Sequence, residues 1–373
     1  MPQLTLNNML KKACDNSETL TRNELKFLLE LENENDLQQL YCAAYSVKEK
    51  YIGKRVFLRG LIEFSNICTK DCYYCGIRKS NSKVDRFQLS MDEIISEARW
   101  TYEQNYGSLV LQSGERSDAS FIDFVEEAVT KIKELSKGEL GITLALGEQT
   151  KETYQRWRKA GAHRYLLRIE SSTKNVYETI HPNDELHSFE QRANALKLIQ
   201  ECGFQTGTGV LIGFPNQTID NLVDDVLFFK NIDIDMIGMG PYIAHHQTPM
   251  ALAMDEMMGT FDEYKEHQLK LGLKMIAVCR LFLKDINIAS TTALQALAPN
   301  GRELGLLAGG NVIMPNVTAT EVRPSYTLYE NKPGLDENCQ SSRQALENSI
   351  HNIGEEICYG IWGDSAHFFE RTK

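Results

Sequence analysis

Ile62-Glu63-Phe64-Ser65-Asn66-Ile67-Cys68-Thr69-Lys70-Asp71-Cys72-Tyr73-Tyr74-Cys75-Gly76 decides how this chain is read. The apolar run Val56 to Phe64 predicts a β-strand, and three cysteines follow it at once with the spacing Cys-x3-Cys-x2-Cys. Three thiolates so close in sequence can fold round a small inorganic cluster as one loop. A tetrahedral zinc site needs a fourth ligand, and the first histidine of the chain comes only at His163. A cubane iron–sulfur cluster fits better, because cysteine thiolates are its normal ligands. Three cysteines leave one iron open to a substrate or cofactor. The plain alternative, three incidental cysteines, is disfavoured because free cysteines are usually scattered through cores.

Working outward, 373 residues suffice for one large domain or two ordinary ones. Apolar content of 42% and charged content of 24% are those of a soluble globular protein. A net charge of −11 argues against a general binder of nucleic acid or anionic membrane. No stretch approaches the roughly 20 apolar residues that span a bilayer, and Met1 to Thr5 show no charged-then-apolar signal pattern. Nine cysteines in a chain this long do not make a disulfide scaffold, and a cluster motif favours a reducing compartment. The expectation is a cytoplasmic protein.

Residues 1–55 read as a polar, helical extension. Thr21-Arg22-Asn23-Glu24 has the form of a capping box, and a further helix is expected from Leu40 to Tyr51. From Val56 onward, strand-like runs alternate with helical stretches: Val56–Phe64, Ser108–Gln112, Gly141–Ala145, Arg164–Arg168, Thr206–Ile212, Met236–Gly240, Asn287–Ala289 and Asn311–Met314. Ser90 with Glu93, Ser188 with Gln191 and Thr260 with Glu263 open intervening helices, and Gly107, Gly161 and Gly203 close others. Eight such runs predict an α/β fold, a (β/α)8 TIM-type barrel over 56–315, for which about 250 residues are typical. A doubly wound open sheet is the alternative. Residues 316–373 are more polar and are expected to cover one end of the barrel.

A barrel places active residues at the C-terminal ends of its strands, and the cysteine loop already meets that condition. The second strand runs into Gln112-Ser113-Gly114-Glu115, either a plain turn or a ligand loop in which a carboxylate and close backbone suit an ammonium group. The third ends at Leu146-Gly147-Glu148, a small polar turn. Arg168 and Glu170 stand two apart, on one face of a strand end. They form a capping ion pair or contact a ligand; a perturbed charge in a cleft favours the ligand. Arg192, in the first turn of a helix, is disfavoured by the helix dipole, which points to a partner such as Glu170 or a ligand carboxylate; an ordinary solvated arginine is the alternative.

Gly209 and Gly213 suggest a backbone flat enough for adenine, and Gly238 to Ile243 has the same permissive character. Thr291, Thr292 and Asn311 to Asn316 offer hydroxyls and amides to a small polar ligand. His245-His246 shows no metal spacing, and Met254, Met257 and Met258 are read as helix packing.

The cysteine spacing, with Tyr74 just before the last cysteine, resembles the radical S-adenosylmethionine (SAM) superfamily, in which the loop at Gln112–Glu115 holds the methionine amino group. Phe64 to Gly76, Val110 to Glu115, Leu144 to Glu148, Arg164 to Glu170, Gly238 to Ile243, Ala289 to Thr292 and Asn311 to Asn316 together are similar to the HydE family of FeFe-hydrogenase maturases. That likeness runs from about residue 20 to 330. It implies a complete barrel and one 4Fe-4S cluster on Cys68, Cys72 and Cys75, with SAM chelating the open iron. It puts Gln112, Ser113, Thr143, Glu170, Arg192, Met236 and Ile243 among the SAM and pocket contacts, and Glu115 with them. Arg168, Thr291, Thr292 and Tyr326 fall near the substrate.

The implied chemistry is reductive cleavage of SAM to a 5′-deoxyadenosyl radical, with ferredoxin or flavodoxin as electron donor. The implied substrate is small or organometallic, a cysteine-bound iron carbonyl–cyanide complex, and other hydrogenase maturases are implied partners. Many members carry further C-terminal cysteines for a second cluster. Here only Cys339 and Cys358 are present there, so no second cluster is expected. Methylornithine synthase is a rival in the same branch. Biotin synthase is disfavoured because Cys202 and Cys279 fall on expected helices rather than strands. A non-catalytic iron–sulfur electron carrier would leave the pocket motifs unexplained.

Overall fold

The first strand, β1 (Arg55–Ser65), is the longest and is buried along nearly its whole length, as its continuous apolar run requires. In the computed structural model, which describes residues 5–15, 17–254, 260–336 and 339–373, this strand starts a ring of parallel pairings. It lies beside β2 (Ser108–Ser113), with Ile62 opposite Leu111, and β2 beside β3 (Gly141–Ala145). Next come β4 (Arg164–Leu166) and β5 (Gln205–Thr208), which β6 (Leu211–Ile212) continues. The ring goes on through β7 (Met236–Ile237), which β8 (Gly240–Pro241) continues beside β6, to β9 (Asn287–Ile288). The last barrel strand, β10 (Val312–Ile313), pairs with β1 at Phe57 and Leu58.

A parallel bridge between Ala289 and Val312 brings β9 against β10. There Ser290 N–H donates to the Val312 carbonyl and Asn311 N–H to the Ile288 carbonyl, both at 2.9 Å. All eight expected runs thus find their places in a closed barrel, and the open sheet is set aside.

Local chemistry explains most element ends. Thr21, Ser90, Thr218 and Thr260 each form a reciprocal capping box, which contributes about 1 kcal/mol per cap. Gly161 and Gly203 close their helices in the left-handed region. Gly107 does not: Asn105 takes that conformation at φ 60. Gly107 is needed for another reason, since a Cβ there would lie 1.6 Å from the Ile361 carbonyl oxygen.

The N-terminal helices Leu6–Asp15, Arg22–Leu29 and Glu34–Tyr51 share one apolar core with the barrel helix Phe261–Leu283. Lys274 seals that seam by donating to the Leu31 carbonyl at 3.0 Å. After β10 the chain serves both barrel ends. Residues 315–334 cross the C-terminal end and line its cavity. Strand β11 (Glu356–Cys358) then pairs with the start of β1, and Trp362 to Arg371 close the N-terminal end. There His163 meets Asp364 at 3.1 Å, while Arg59 and Asn287 both donate to the Gly363 carbonyl. No helix among the described residues is long and apolar enough to cross a membrane. Met257 and Met258 lie outside the described residues, as do the side chains of Met254 and Cys339.

Candidate active site

A cavity of about 560 Å³ opens at the C-terminal end of the strands. Its floor is the cysteine loop, shaped from within by polar side chains. Asn66 donates to the carbonyls of Asp85 and Ser325 at 2.8 and 2.7 Å. Arg86 gathers the carbonyls of Asn66, Ile77 and Arg78 at 2.6–2.7 Å. Asp71 holds Arg78 and Ser80. So fixed, the loop turns Cys68, Cys72 and Cys75 to one cavity wall.

Burial pushes all three thiols up, Cys75 to about 12, and the charges of Cys75 and Cys68 raise Cys72 further, as Cys68 does Cys75. Three thiols so placed ionise together only if a bound cation takes up their charge, so the donor set suits an iron–sulfur cluster. The Glu115 N–H already points at Cys68 Sγ, 3.3 Å away. A Cβ on Gly114 would sit 2.4 Å from the Ile67 carbonyl oxygen. That glycine therefore makes room for the cysteine loop itself.

Beside the thiols lies a quartet of charges, Lys70 buried and the other three half-buried. Arg192 reaches Glu115 at 3.0 Å and Glu148 at 2.9 Å, and Lys70 reaches the same two carboxylates at 3.0 and 3.4 Å. Burial raises the Glu115 carboxyl against the pull of Arg192 and Lys70. Burial also works against the Arg192 charge, but Glu148 and Glu115 more than offset it and hold the guanidinium protonated. The expected Arg192 partner, Glu170, is thus replaced by two others. Arg192 Nε instead donates to the Arg168 carbonyl at 2.9 Å, tying the helix start to β4's end.

Glu170 itself is 5% exposed and held at φ 65, left-handed for a non-glycine residue. Its Oε2 lies 3.0 Å from Arg168, yet neither Glu170 Oε2 nor Arg168 Nε has a properly aligned hydrogen bond. Close approach and poor alignment together mean that the pair is only partly satisfied. Thr291 Oγ1 is likewise buried without a partner. All three residues line the cavity, so polar capacity stands open to a ligand.

Other expected site residues divide by depth. Gln112, Ser113, Ile243 and Thr292 line the cavity, Thr292 bonded to Tyr329 at 2.8 Å. Tyr326 is buried and lines it as well. Thr143 and Met236 do not line the cavity. They sit one layer lower, Thr143 accepting from Arg164 at 2.9 Å and Met236 sulfur from Arg59 at 3.2 Å. Thr143 is the central residue of β3 and Met236 the first of β7, below the layer that meets the cavity. Gly209 and Gly213 also stay outside it. A Cβ on Gly209 would meet the Gly238 carbonyl oxygen at 2.1 Å, so that glycine lets neighbouring strands approach.

Sequence reading missed Lys70, Glu63 and Lys332, and passed over Glu148 as a turn. Glu63 binds Lys332 at 2.6 Å and Asn316 at 2.8 Å inside the cavity wall. The one available signal was Glu63 itself, a charged residue within an apolar strand. Cys279 is buried within the helix Phe261–Leu283 and Cys202 caps the end of Phe189–Glu201, so neither lies on a strand.

Residues 62–229 match the radical SAM superfamily model. The chain is 41% identical to the [FeFe] hydrogenase maturase subunit HydE of Thermotoga maritima, over 94% of this chain and 95% of that protein. It is 26% identical to 3-methylornithine synthase of Methanosarcina acetivorans, over 90% and 88% of the two chains. Among solved structures, methylornithine synthase superposes with a TM-score of 0.77 at 25% identity, covering 94% of this chain and 98% of that one. The maturase HydG from Carboxydothermus hydrogenoformans has the same TM-score at 21% identity, covering 95% and 79%, and bears on the fold alone.

Proposed function

Because the chain belongs to the HydE family within the radical SAM superfamily, we propose that this radical SAM enzyme acts in assembly of the FeFe-hydrogenase active-site cofactor. Membership of the superfamily implies a 4Fe-4S cluster and SAM. Convergence of Cys68, Cys72 and Cys75 on the cavity carries the reading, since it joins the expected donor set to a space for a substrate. When bound, the cluster and SAM supply a 5′-deoxyadenosyl radical on one-electron reduction.

The protein's own tasks are to hold, orient and exclude water. Cys68, Cys72 and Cys75 hold one cluster, and no second cluster is part of the proposal. Glu170, with its open Oε2, accepts a hydrogen bond from a SAM hydroxyl or ammonium group, and Gln112, Ser113 and Ile243 bound the same space. Glu115 acts as a positioning residue, because Lys70 and Arg192 already occupy its carboxylate. Arg192 keeps Glu115 and Glu148 in place. Arg168, Thr291, Thr292 and Tyr326 face the substrate, for which a cysteine-bound iron carbonyl–cyanide complex is the proposed class. Tyr326 and Tyr329 cover that region and keep water from the reacting atoms. A ferredoxin- or flavodoxin-like donor supplies the electron in the cytoplasm, alongside the other hydrogenase maturases.

Anaerobic reconstitution with iron, sulfide, SAM and a strong reductant tests the first part. 5′-Deoxyadenosine should form, and the reduced cluster's spin-resonance signal should change on adding SAM. Failure of both would remove the radical chemistry. The structural likeness to methylornithine synthase motivates a parallel incubation with lysine. Conversion of lysine to an isomer would displace the maturase role while leaving SAM cleavage intact.

A further inference from the structure

Two loops meet over the cysteine loop. One is residues 242–248, following β8; the other is the strap 326–332, which carries Tyr326, Tyr329 and Lys332 to the cavity. Glu330 N–H donates to the Ala244 carbonyl at 3.2 Å, and Gly76 N–H to the Leu328 carbonyl at 3.0 Å. A Cβ on Gly76 would lie 2.2 Å from the Thr327 carbonyl oxygen and 2.5 Å from the His245 ring. The strap, the second loop and the cysteine loop are therefore packed backbone to backbone.

Consecutive residues in an extended chain point to opposite sides. His245 and His246 do not: a turn closed by Thr248, whose N–H and hydroxyl both donate to the His245 carbonyl, stacks their rings with centroids 5.1 Å apart and planes 10° apart. Both Nδ1 atoms lie within 4.0 Å of the same oxygen. His246 Nδ1 is in direct contact with Glu330 Oε1, and His245 Nδ1 lies 4.0 Å from it. One donor atom from each residue falls within 4.8 Å of the other two. His246 N–H also holds Glu330 Oε1, at 3.1 Å, so the carboxylate is anchored by backbone and not only by its ring contact. His245 is 4% exposed and its Nδ1 accepts from the Gln247 N–H at 3.2 Å; His246 is open to solvent.

We propose that His245, His246 and Glu330 bind one divalent transition-metal ion, which fastens the strap to the 242–248 loop. Two imidazoles and one carboxylate are the donor set that zinc, iron(II) and nickel(II) accept, with positions left for water. The ion would replace the long Gln247 bond at His245 Nδ1 and share the carboxylate that His246 now contacts. None of the three residues belongs to the cluster or SAM sites, so the proposal stands apart from the reaction assigned above.

The test uses the full chain with its cluster fully reconstituted, titrated anaerobically with Zn2+ against a chromogenic competing chelator. One Zn2+ per chain should bind beyond the cluster metal, with a zinc-edge absorption spectrum containing histidine nitrogen. His246→Ala and Glu330→Gln should each weaken binding by about 100-fold or more, with iron and sulfide content unchanged. Absence of stoichiometric binding would overturn the site. So would binding that survives either substitution, because both residues are required ligands.

Discussion

At the N-terminal end of the barrel, Arg164 meets Asp364 and the Trp362 carbonyl, Arg59 meets the Gly363 carbonyl, and Arg371 meets Asp235. Opposite charges and carbonyl dipoles are supplied by the chain's own tail. At the C-terminal end, groups of the same kind converge: three thiols on one wall, and Glu115 and Glu148 together on Arg192 and Lys70. The first arrangement gives each guanidinium a partner within the protein, although Arg59 Nε and Arg164 Nη2 keep no aligned bond, and it serves stability. The second leaves thiols that would repel as thiolates and an ill-aligned Glu170, so its balance depends on a bound cluster and ligand.

Substitutions at the two ends should accordingly separate activity from stability. The largest effect is expected for Cys72→Ala: cluster iron and 5′-deoxyadenosine formation should fall to background, while circular dichroism keeps the barrel's signature. A cluster surviving at wild-type iron content would remove Cys72 from the ligand set. Arg192→Gln comes next. It leaves Glu115 and Glu148 facing each other with only Lys70 between them, and should cost about 3–5 kcal/mol in urea unfolding as well as most SAM cleavage.

Asp364→Ala attacks the opposite end. Loss of the partner of Arg164 and His163 should cost about 3 kcal/mol, yet 5′-deoxyadenosine formation at a permissive temperature should stay within about two-fold of wild type. A large activity loss there would show that the ends are coupled.

The smallest effect concerns Asp225, buried beneath the loop after β4, where it accepts from Ser172 N–H and hydroxyl at 2.7 and 2.6 Å. Burial pushes its carboxyl up to about 7 from the ordinary 3.8. A raised folded-state value means that the unfolded chain releases this proton first. The stability that Asp225 contributes when protonated is therefore full below about pH 4 and is lost as pH rises through about 7. Asp225→Asn should be more stable than wild type at pH 8, with the gain shrinking toward zero near pH 4. Melting curves across that range check the sign.

Strand count and cysteine spacing were legible because both are short-range patterns: apolar runs of a few residues, and three ligands within eight positions. Capping boxes at Ser90 and Thr260 were legible for the same reason. Arg192 announced its need for a partner by standing in a helix's first turn, but which carboxylates answer lies 77 and 44 residues away. Lys332 gave no local sign at all; its role comes from Glu63, 269 residues distant. Thr143 and Met236 show the converse limit, since a strand position can be correct while its layer in the barrel is not.

For the opening stretch, Ile62 to Gly76, the sequence by itself determined the donor atoms and hence the class of cofactor, because thiolate chemistry and spacing are properties of the chain. Only the tertiary structure decided what stands around them. It set Gly114 against the loop, turned Glu115 to Arg192 and Lys70, and divided the residues after β10 between the two ends of the barrel. Those outcomes depend on contacts between residues far apart in the chain, whose energies exist only once the strands have closed.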